Sequence, residues 1–101
     1  MPRYIISEKA LDDINKIWIY IAENWSIEQA DRYYNLLFDE IEYIVDNFEM
    51  ARDFGNVRKN YRCSKVKSHL VFFKKIESNE IEVIRILHER MDIETQLSIQ
   101  L

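Results

Sequence analysis

The chain contains very little glycine, proline or cysteine. It has 101 residues, among them one Gly, one Pro and one Cys. One glycine excludes a glycine-rich phosphate loop, and one cysteine excludes an internal disulfide and favours a reducing compartment. No window approaches the roughly 20 apolar residues of a membrane span, the N-terminal residues lack the apolar run of a signal peptide, and no Cys/His spacing matches a metal site. We therefore expect a single soluble, cytoplasmic domain over residues 1–101, without metal or cofactor.

The net charge of -4 conceals a strong separation of charge along the chain. Residues 1–51 contain 4 basic and 11 acidic residues, a formal charge of -7, whereas residues 52–101 contain 10 basic and 7 acidic ones, a charge of +3. Within residues 52–75, 8 basic residues accompany Asp53 as the only acidic one. This region favours an anionic partner, either a nucleic acid or an acidic protein segment. The alternative is that the two halves neutralise each other on the surface.

Apolar residues at spacings of three and four predict two helices in the first half of the chain. Ser7 is a suitable N-cap for the first helix, and Ser26 with Gln29 forms a capping-box pattern before a second helix over about residues 27–48. The break between them is long enough only for an antiparallel helical hairpin. The expected core stripes are Leu11, Ile14, Ile17, Trp18, Ile21 and Trp25 in the first helix, and Ala30, Tyr33, Leu37, Ile41, Ile44 and Phe48 in the second.

β-Branched and aromatic runs predict strands before and after the helices. A turn signal at residues 53–56 ends the helical half, residues 77–80 form a hairpin turn, and the tail from Met91 is one helical turn with an extended end. The predicted strands are residues 3–6, 57–66, 68–76 and 81–88. The resulting order is β-α-α-β-β-β, which is an α+β fold with an N-terminal helical hairpin packed on one face of a small, mainly antiparallel sheet.

Arg85 lies within the last apolar strand. If Ile84 and Ile86 face the helices, Arg85 lies on the opposite face, which has no helix to cover it. That face is then an apolar groove with a basic rim, suited to a partner segment that carries carboxylates and aliphatic side chains. The alternative is that Arg85 pairs within the chain, with Glu80, Glu82 or Asp92.

Two histidines lie at the ends of the last two strands. His69 begins one strand. A functional role and a structural hydrogen bond to a nearby carbonyl explain the presence of an imidazole at this position equally well. His88 ends the next strand, and Asp92 follows four residues later, which favours a hydrogen-bonded clasp that fixes the tail. Cys63 has no neighbouring pattern of metal ligands and is expected to be inert.

The sequence resembles the ParE toxins of the ParE/RelE superfamily, which are the toxins of bacterial toxin–antitoxin pairs. The resemblance covers nearly the whole chain, and its more specific parts lie in the second half. One departure is Lys67, where relatives often have Gly before the Ser-His pair. The matching segments are residues 17–22 (IWIYIA), Ala30, Tyr33-Tyr34, Tyr61-Arg62, residues 68–73 (SHLVFF), residues 83–88 (VIRILH) and Asp92.

The resemblance implies the same β-α-α-β-β-β core and a partner antitoxin, usually of the ParD type, in a toxin–antitoxin hetero-oligomer. In characterised ParE toxins the target is DNA gyrase, whose inhibition blocks replication, whereas relatives in the RelE branch cleave mRNA on the ribosome. Operator DNA is expected to be bound only indirectly, through the antitoxin. A DNA-binding role of the chain's own is the weakest alternative, because residues 1–51 contain only 4 basic residues.

Cleavage of the RelE type needs a base, an acid and cations on one surface. Nucleases of the family often place a Tyr in the C-terminal segment, but the last Tyr here is Tyr61, and a lysine expected on the middle strands falls at Ser64. A non-enzymatic gyrase inhibitor is therefore favoured over a nuclease, for which the catalytic residues would be Arg62, His69 and His88. The predicted partner-binding residues are Tyr61, Arg62, Lys65, His69, Arg85, His88 and Arg90.

Overall fold

The computed structural model describes residues 3–55, 58–77 and 80–98. Its elements in chain order are β1 (Tyr4–Ile6), α1 (Glu8–Asn24), α2 (Ile27–Asp46), a short 3-10 helix (Phe48–Met50), β2 (Arg52–Asp53), β3 (Tyr61–Val66), β4 (His69–Glu77), β5 (Glu80–His88) and α3 (Ile93–Ser98). The predicted α+β order is confirmed, with a two-residue strand β2 and a C-terminal helix in addition. Within the described ranges, no helix is both long enough and apolar enough to cross a membrane.

Both long helices begin at the predicted N-caps. The Ser7 hydroxyl accepts from the Ala10 N–H at 3.0 Å, and the Ser26 hydroxyl accepts from the Gln29 N–H at the same distance of 3.0 Å. Each bond satisfies an amide that has no partner inside its helix. Ser7 also donates to the carbonyl of Ile84 at 2.8 Å, which fixes the start of α1 to β5.

The five strands form one sheet in the order β1-β5-β4-β3-β2. The strand pairs β2–β3, β3–β4 and β4–β5 are antiparallel, and β1 pairs with β5 in parallel. The strand predicted over residues 57–66 begins at Tyr61, as β3. Residue 56 of the first predicted turn, residue 57 of that predicted strand, residues 78–79 of the second turn and residues 99–101 of the tail lie outside the described residues. The strand order places β1 at one edge of the sheet, beside β5, which is the last strand in the chain.

The helical hairpin covers one face of this sheet. The predicted stripe of α2 is confirmed, since Ala30, Leu37, Ile41 and Ile44 are buried. The predictions for Leu11 and Trp25 are wrong, since their side chains are 44% and 71% exposed. Trp25 is the C-cap of α1, so the helical periodicity does not extend to it. The core on this face comprises Ala10, Ile14, Leu37, Ile41, Ile44, Val66, Val71, Phe73, Ile81, Val83 and Ile86.

The opposite face of the sheet is not bare, contrary to the sequence-based expectation. Leu97 of α3 is fully buried on it, with Ile93 and Phe54 packed alongside. The tail covers this face because Ile93 and Leu97, the apolar residues of α3, lie four positions apart and so share one side of the helix. The buried residues of this second cluster are Tyr61, Cys63, Leu70, Phe72, Ile84, Leu87 and Leu97.

A β-bulge in β5 changes which residues face the helices. Phe72 pairs with Arg85, but Phe73 pairs with Val83, so Ile84 is an extra residue in the register. Ile86 lies in the helix-side core and Ile84 in the opposite cluster. The expectation that both isoleucines face the helices is therefore wrong, and so is the placement of Arg85 on the opposite face.

Candidate functional site

Arg85 is paired inside the protein with α1. Its Nε and Nη2 donate to the two carboxylate oxygens of Asp13 at 2.7 and 2.9 Å, and the Ile86 N–H donates to the same carboxylate at 3.0 Å. The two side chains are only 13% and 11% exposed, and these hydrogen bonds raise the pKa of Arg85. The pairing alternatives with Glu80, Glu82 and Asp92 are wrong, because the bulge turns Arg85 toward α1.

Arg62 lies at the end of β3 next to the 3-10 helix. Its guanidinium is 4.8 Å from the centre of the Phe48 ring, Nη1 donates to the Ala51 carbonyl at 2.9 Å, and Nη2 is 3.7 Å from the Glu49 carboxylate. An open cavity of about 650 Å³ lies here. Its lining residues are Phe48, Glu49, Asp53, Gly55, Lys59, Asn60, Tyr61, Arg62, Lys75 and Ile76. Of the cations in this cavity, Arg62 faces a carboxylate of the same chain, whereas the Lys75 ammonium lies 4.6 Å from the centre of the Phe48 ring.

Two further predicted residues, Lys65 and Arg90, lie at the surface near the end of β5. The ammonium of Lys65 is 2.9 Å from the Glu89 carboxylate, and this contact lowers the pKa of Glu89. Arg90 is exposed, and its backbone N–H donates to His88 Nδ1 at 3.1 Å.

His69 and His88 lie directly opposite each other on β4 and β5. Their ring centroids are 5.2 Å apart in an edge-on arrangement. The Tyr33 hydroxyl, on α2, lies 2.6 Å from His69 Nδ1 and 3.0 Å from the Val66 carbonyl oxygen. Burial, reinforced by His88, lowers the pKa of His69 to about 4, so its imidazole is neutral at pH 7.

The predicted clasp between His88 and Asp92 is wrong. Asp92 instead caps α3: it accepts from the Thr95 N–H at 3.3 Å and from the Thr95 hydroxyl at 2.7 Å. These bonds lower the pKa of Asp92. The His88 ring instead contacts the His69 ring on β4 and lines a cavity at the surface.

Both histidines line a groove where the end of the helical hairpin meets the β3–β4 turn. It consists of two adjoining cavities of about 440 and 410 Å³, which share Ile21, Trp25 and Tyr33. We call this surface the hairpin groove. Its lining residues are Lys16, Ile17, Tyr20, Ile21, Trp25, Gln29, Arg32, Tyr33, Leu36, Lys67, Ser68, His69 and His88.

The hairpin groove combines exposed aromatic surface with unpaired positive charge. Tyr20 and Trp25 are 63% and 71% exposed. Its lining includes Lys16, Arg32 and Lys67 but no carboxylate, and within the described ranges none of the three forms an ion pair. An apolar segment with flanking carboxylates matches this surface.

Sequence reasoning missed most of the hairpin groove, although signals for it exist. Lys16 and Tyr20 are four residues apart, so they lie on one side of α1. The predicted hairpin also places Trp25 and Gln29 at the same end. What the sequence could not supply was the contact of that end with the turn at Lys67.

The three residues predicted for a nuclease do not converge. Arg62 pairs with Phe73 and Val66 pairs with His69, so Arg62 is four positions, roughly 13 Å, along β3 from the histidines. Ser64, at the position expected for a second lysine, donates to the Glu40 carboxylate on α2. Among the described residues, no group of three or more His, Cys, Asp and Glu side chains is arranged to hold a metal ion.

Comparisons with known proteins agree with the resemblance seen in the sequence. The sequence model of a family described as the ParE toxin of the type II toxin–antitoxin system, parDE, matches residues 4–93. Toxin ParE1 of Caulobacter vibrioides is 34% identical over 97 residues, which are 96% of this chain and 99% of the relative. Toxin ParE1 of Mycobacterium tuberculosis is 30% identical over 95 residues, which are 94% of this chain and 97% of the relative.

A solved structure shows the same fold. It is a chain of the chromosomal ParDE TA system from P. aeruginosa, with a TM-score of 0.73 and 14% sequence identity, and the match covers 87% of this chain and 96% of that one. At this identity the likeness concerns the fold alone, whereas the family match concerns the sequence from Tyr4 to Ile93. The chain therefore belongs to the ParE toxin family of type II toxin–antitoxin systems.

Proposed function

We propose that the chain is held inactive by a ParD-type antitoxin and that an acidic, apolar segment of this antitoxin docks in the hairpin groove. The observation that carries the proposal is the combination of exposed Tyr20 and Trp25 with three unpaired cations. The structural neighbour from a ParDE system supports an antitoxin as the partner. A segment that is disordered when free can fold onto such a groove, burying aromatic surface while its carboxylates meet the cations.

The proposed target is DNA gyrase, inhibited in the cytoplasm without a catalytic step by the toxin, so that replication stops. The family match supports this proposal, as does the separation of Arg62 from the two histidines. The second candidate is a ribosome-dependent mRNA endonuclease. The observation in its favour is the adjacent pair His69 and His88, which offers two imidazoles for proton transfer.

Charge reversal tests the docking of the antitoxin. The triple variant K16E/R32E/K67E should bind the cognate antitoxin at least about 100-fold more weakly in titration calorimetry, because like charges then meet across the groove. The matched variant R58E/K59E/K75E alters three cations at the other end of the molecule and should bind within about threefold of the unaltered chain, provided circular dichroism shows both variants folded. Equal losses in the two variants would show that the groove is not the docking surface.

Two assays on the purified toxin separate the candidate targets. One measures supercoiling of plasmid DNA by gyrase, and the other measures cleavage of mRNA on programmed ribosomes. We expect inhibited supercoiling and intact mRNA. Cleaved mRNA with unaffected supercoiling would reverse the assignment in favour of the endonuclease.

A further inference from the structure

The hydrogen-bond partners of the two imidazoles in the hairpin groove favour different tautomers. The Tyr33 hydroxyl has one proton, and it lies 3.0 Å from the Val66 carbonyl oxygen and 2.6 Å from His69 Nδ1, while Ser68 also hydrogen-bonds to it. A carbonyl only accepts, so the Val66 and His69 contacts are both hydrogen bonds only if Tyr33 donates to Val66 and His69 Nδ1–H donates to Tyr33. Neutral His69 then has its lone pair on Nε2.

His88 has the opposite arrangement. Its Nδ1 accepts from the Arg90 N–H at 3.1 Å, so the proton of the neutral ring is on Nε2. These Nδ1 contacts are the only hydrogen bonds that either ring makes within the described part of the chain. Both rings line the hairpin groove with their centroids 5.2 Å apart, so these tautomers would give the groove one acceptor, His69 Nε2, and one donor, His88 Nε2–H.

We propose that this pair recognises one uncharged side chain of the docked segment, a hydroxyl or a carboxamide, which accepts from His88 and donates to His69. The proposal rests on the docking of an antitoxin segment in the hairpin groove and specifies the chemistry at its centre. Hydroxyl and carboxamide groups carry a donor and an acceptor together, so both imidazoles are satisfied without a change of charge. The flanking carboxylates of the same segment meet Lys16, Arg32 and Lys67 at the rim.

A carboxylate does not fit at the centre. Its oxygens only accept, so one of them would face the lone pair of His69 Nε2 unless that ring gained a proton. Burial opposes the protonation, as the low pKa of His69 shows. The other charged or titratable groups nearby are Lys16 and Tyr20 on α1, Tyr33 on α2, His88 on β5, and the more distant carboxylates of Asp13 and Glu89. An ammonium group fails for the opposite reason, because it has no acceptor for His88 Nε2–H.

The tautomers can be tested without any partner. Long-range ¹H–¹⁵N spectra of the full chain at pH 7.5 distinguish protonated from unprotonated imidazole nitrogens. We expect a proton on Nδ1 of His69 and on Nε2 of His88. The same tautomer in both rings would overturn the proposal, whether or not the antitoxin binds in the groove.

Double-mutant cycles identify the group that is recognised. His88→Phe removes the donor, and His88→Gln restores one as a conservative control. Each polar residue in the toxin-bound segment of the cognate antitoxin is changed to Ala and titrated against unaltered toxin and both variants. We expect a coupling of about tenfold or more between His88→Phe and one Ser, Thr, Asn or Gln of the antitoxin, and a smaller one for His88→Gln.

Proton uptake provides the second measure. Titrations at pH 7.5 in buffers of different ionisation enthalpy should show no proton taken up when the complex forms. Coupling of His88 to an Asp or Glu, or uptake of about one proton, would overturn the proposal while leaving the docking itself intact. Failure of the unaltered toxin to bind the antitoxin would instead refute the proposed function.

Discussion

At the residue scale, Arg85 shows that the role of a side chain depends on its partner in the fold. From the sequence alone, Arg85 is predicted to be a cation on an uncovered face that binds an acidic ligand. In the structure, Nε and Nη2 of Arg85 donate to the carboxylate of Asp13, and both side chains are largely buried. An Arg85→Glu variant would therefore disturb folding, because it places two carboxylates against each other, and weaker partner binding by this variant would not by itself identify Arg85 as a contact.

We predict that Asp13→Ala lowers the free energy of unfolding by about 2–4 kcal/mol, because it leaves a largely buried guanidinium without its counterion and the Ile86 N–H without an acceptor. The double variant D13A/R85M should lose less than the sum of the two single variants. Urea denaturation measures both quantities.

The matched control for this prediction is the more exposed pair of Lys74 and Glu82. Their charged atoms are 3.9 Å apart, and the side chains are 39% and 30% exposed, so Lys74→Met should change the free energy of unfolding by no more than about 0.5 kcal/mol. Equal losses in the Asp13 and Lys74 variants would contradict the prediction.

At the element scale, the β3–β4 turn carries a residue in an unfavourable backbone conformation. Lys67 has φ 56°, and it is the first of the two residues between the paired positions Val66 and His69. Ser68 is not among the residues with positive φ, so the turn has the pattern of type II′, which favours Gly at its first central position. Gly would adopt this backbone conformation at position 67 more readily than Lys does.

We predict that Lys67→Gly raises the free energy of unfolding by up to about 1 kcal/mol, because relief of the left-handed strain exceeds the entropy that Gly adds to the unfolded chain. Asn60 also has positive φ, 70°, but Asn tolerates this region, so Asn60→Gly should be neutral or slightly destabilising. Thermal denaturation of both variants measures the difference. A larger gain for Asn60→Gly than for Lys67→Gly would contradict this account of the turn.

The elements that the sequence predicted correctly depend on local interactions. The caps at Ser7 and Ser26 and the stripe of α2 are determined by residues three or four positions apart. The bulge at Ile84 and the burial of Leu97 depend on pairing and packing with distant segments. Strict alternation along β5 therefore gave the wrong face for Arg85, and the cover supplied by α3 was missed.

The same distinction explains which candidate site residues the sequence could place. His69 and His88 were both expected at strand ends, and the register of β4 with β5 brings them together. Tyr61, Arg62 and Lys65 were expected on the same strand, but alternate side chains point to opposite faces and the two ends of the strand lie far apart. Their role in partner binding stays a prediction, as does that of Arg85 and Arg90.

At the scale of the whole molecule, the separation of charge along the chain does not become a simple division of the surface. Lys16 and Arg32 come from the acidic half, yet they join Lys67 of the basic region in the hairpin groove. The cations at the other end contact aromatic rings: Arg52 lies 5.2 Å from the Phe54 ring centre and Arg58 lies 5.9 Å from that of Tyr61. The hairpin groove therefore gathers three cations from both halves of the chain, without a carboxylate in its lining.

The three cations of the hairpin groove predict how association with the proposed antitoxin depends on salt. Between about 50 and 500 mM salt, the association rate constant should fall about tenfold or more, and the dissociation rate constant should change less, because screening acts mainly on the approach of separated charges. Stopped-flow mixing of labelled toxin and antitoxin measures both constants. The neutral variant K16Q/R32Q/K67Q should lose most of the salt dependence of association, whereas R58Q/K59Q/K75Q should retain it. A salt slope that disappears only in the second variant would place the electrostatic attraction at the Arg62 end of the molecule.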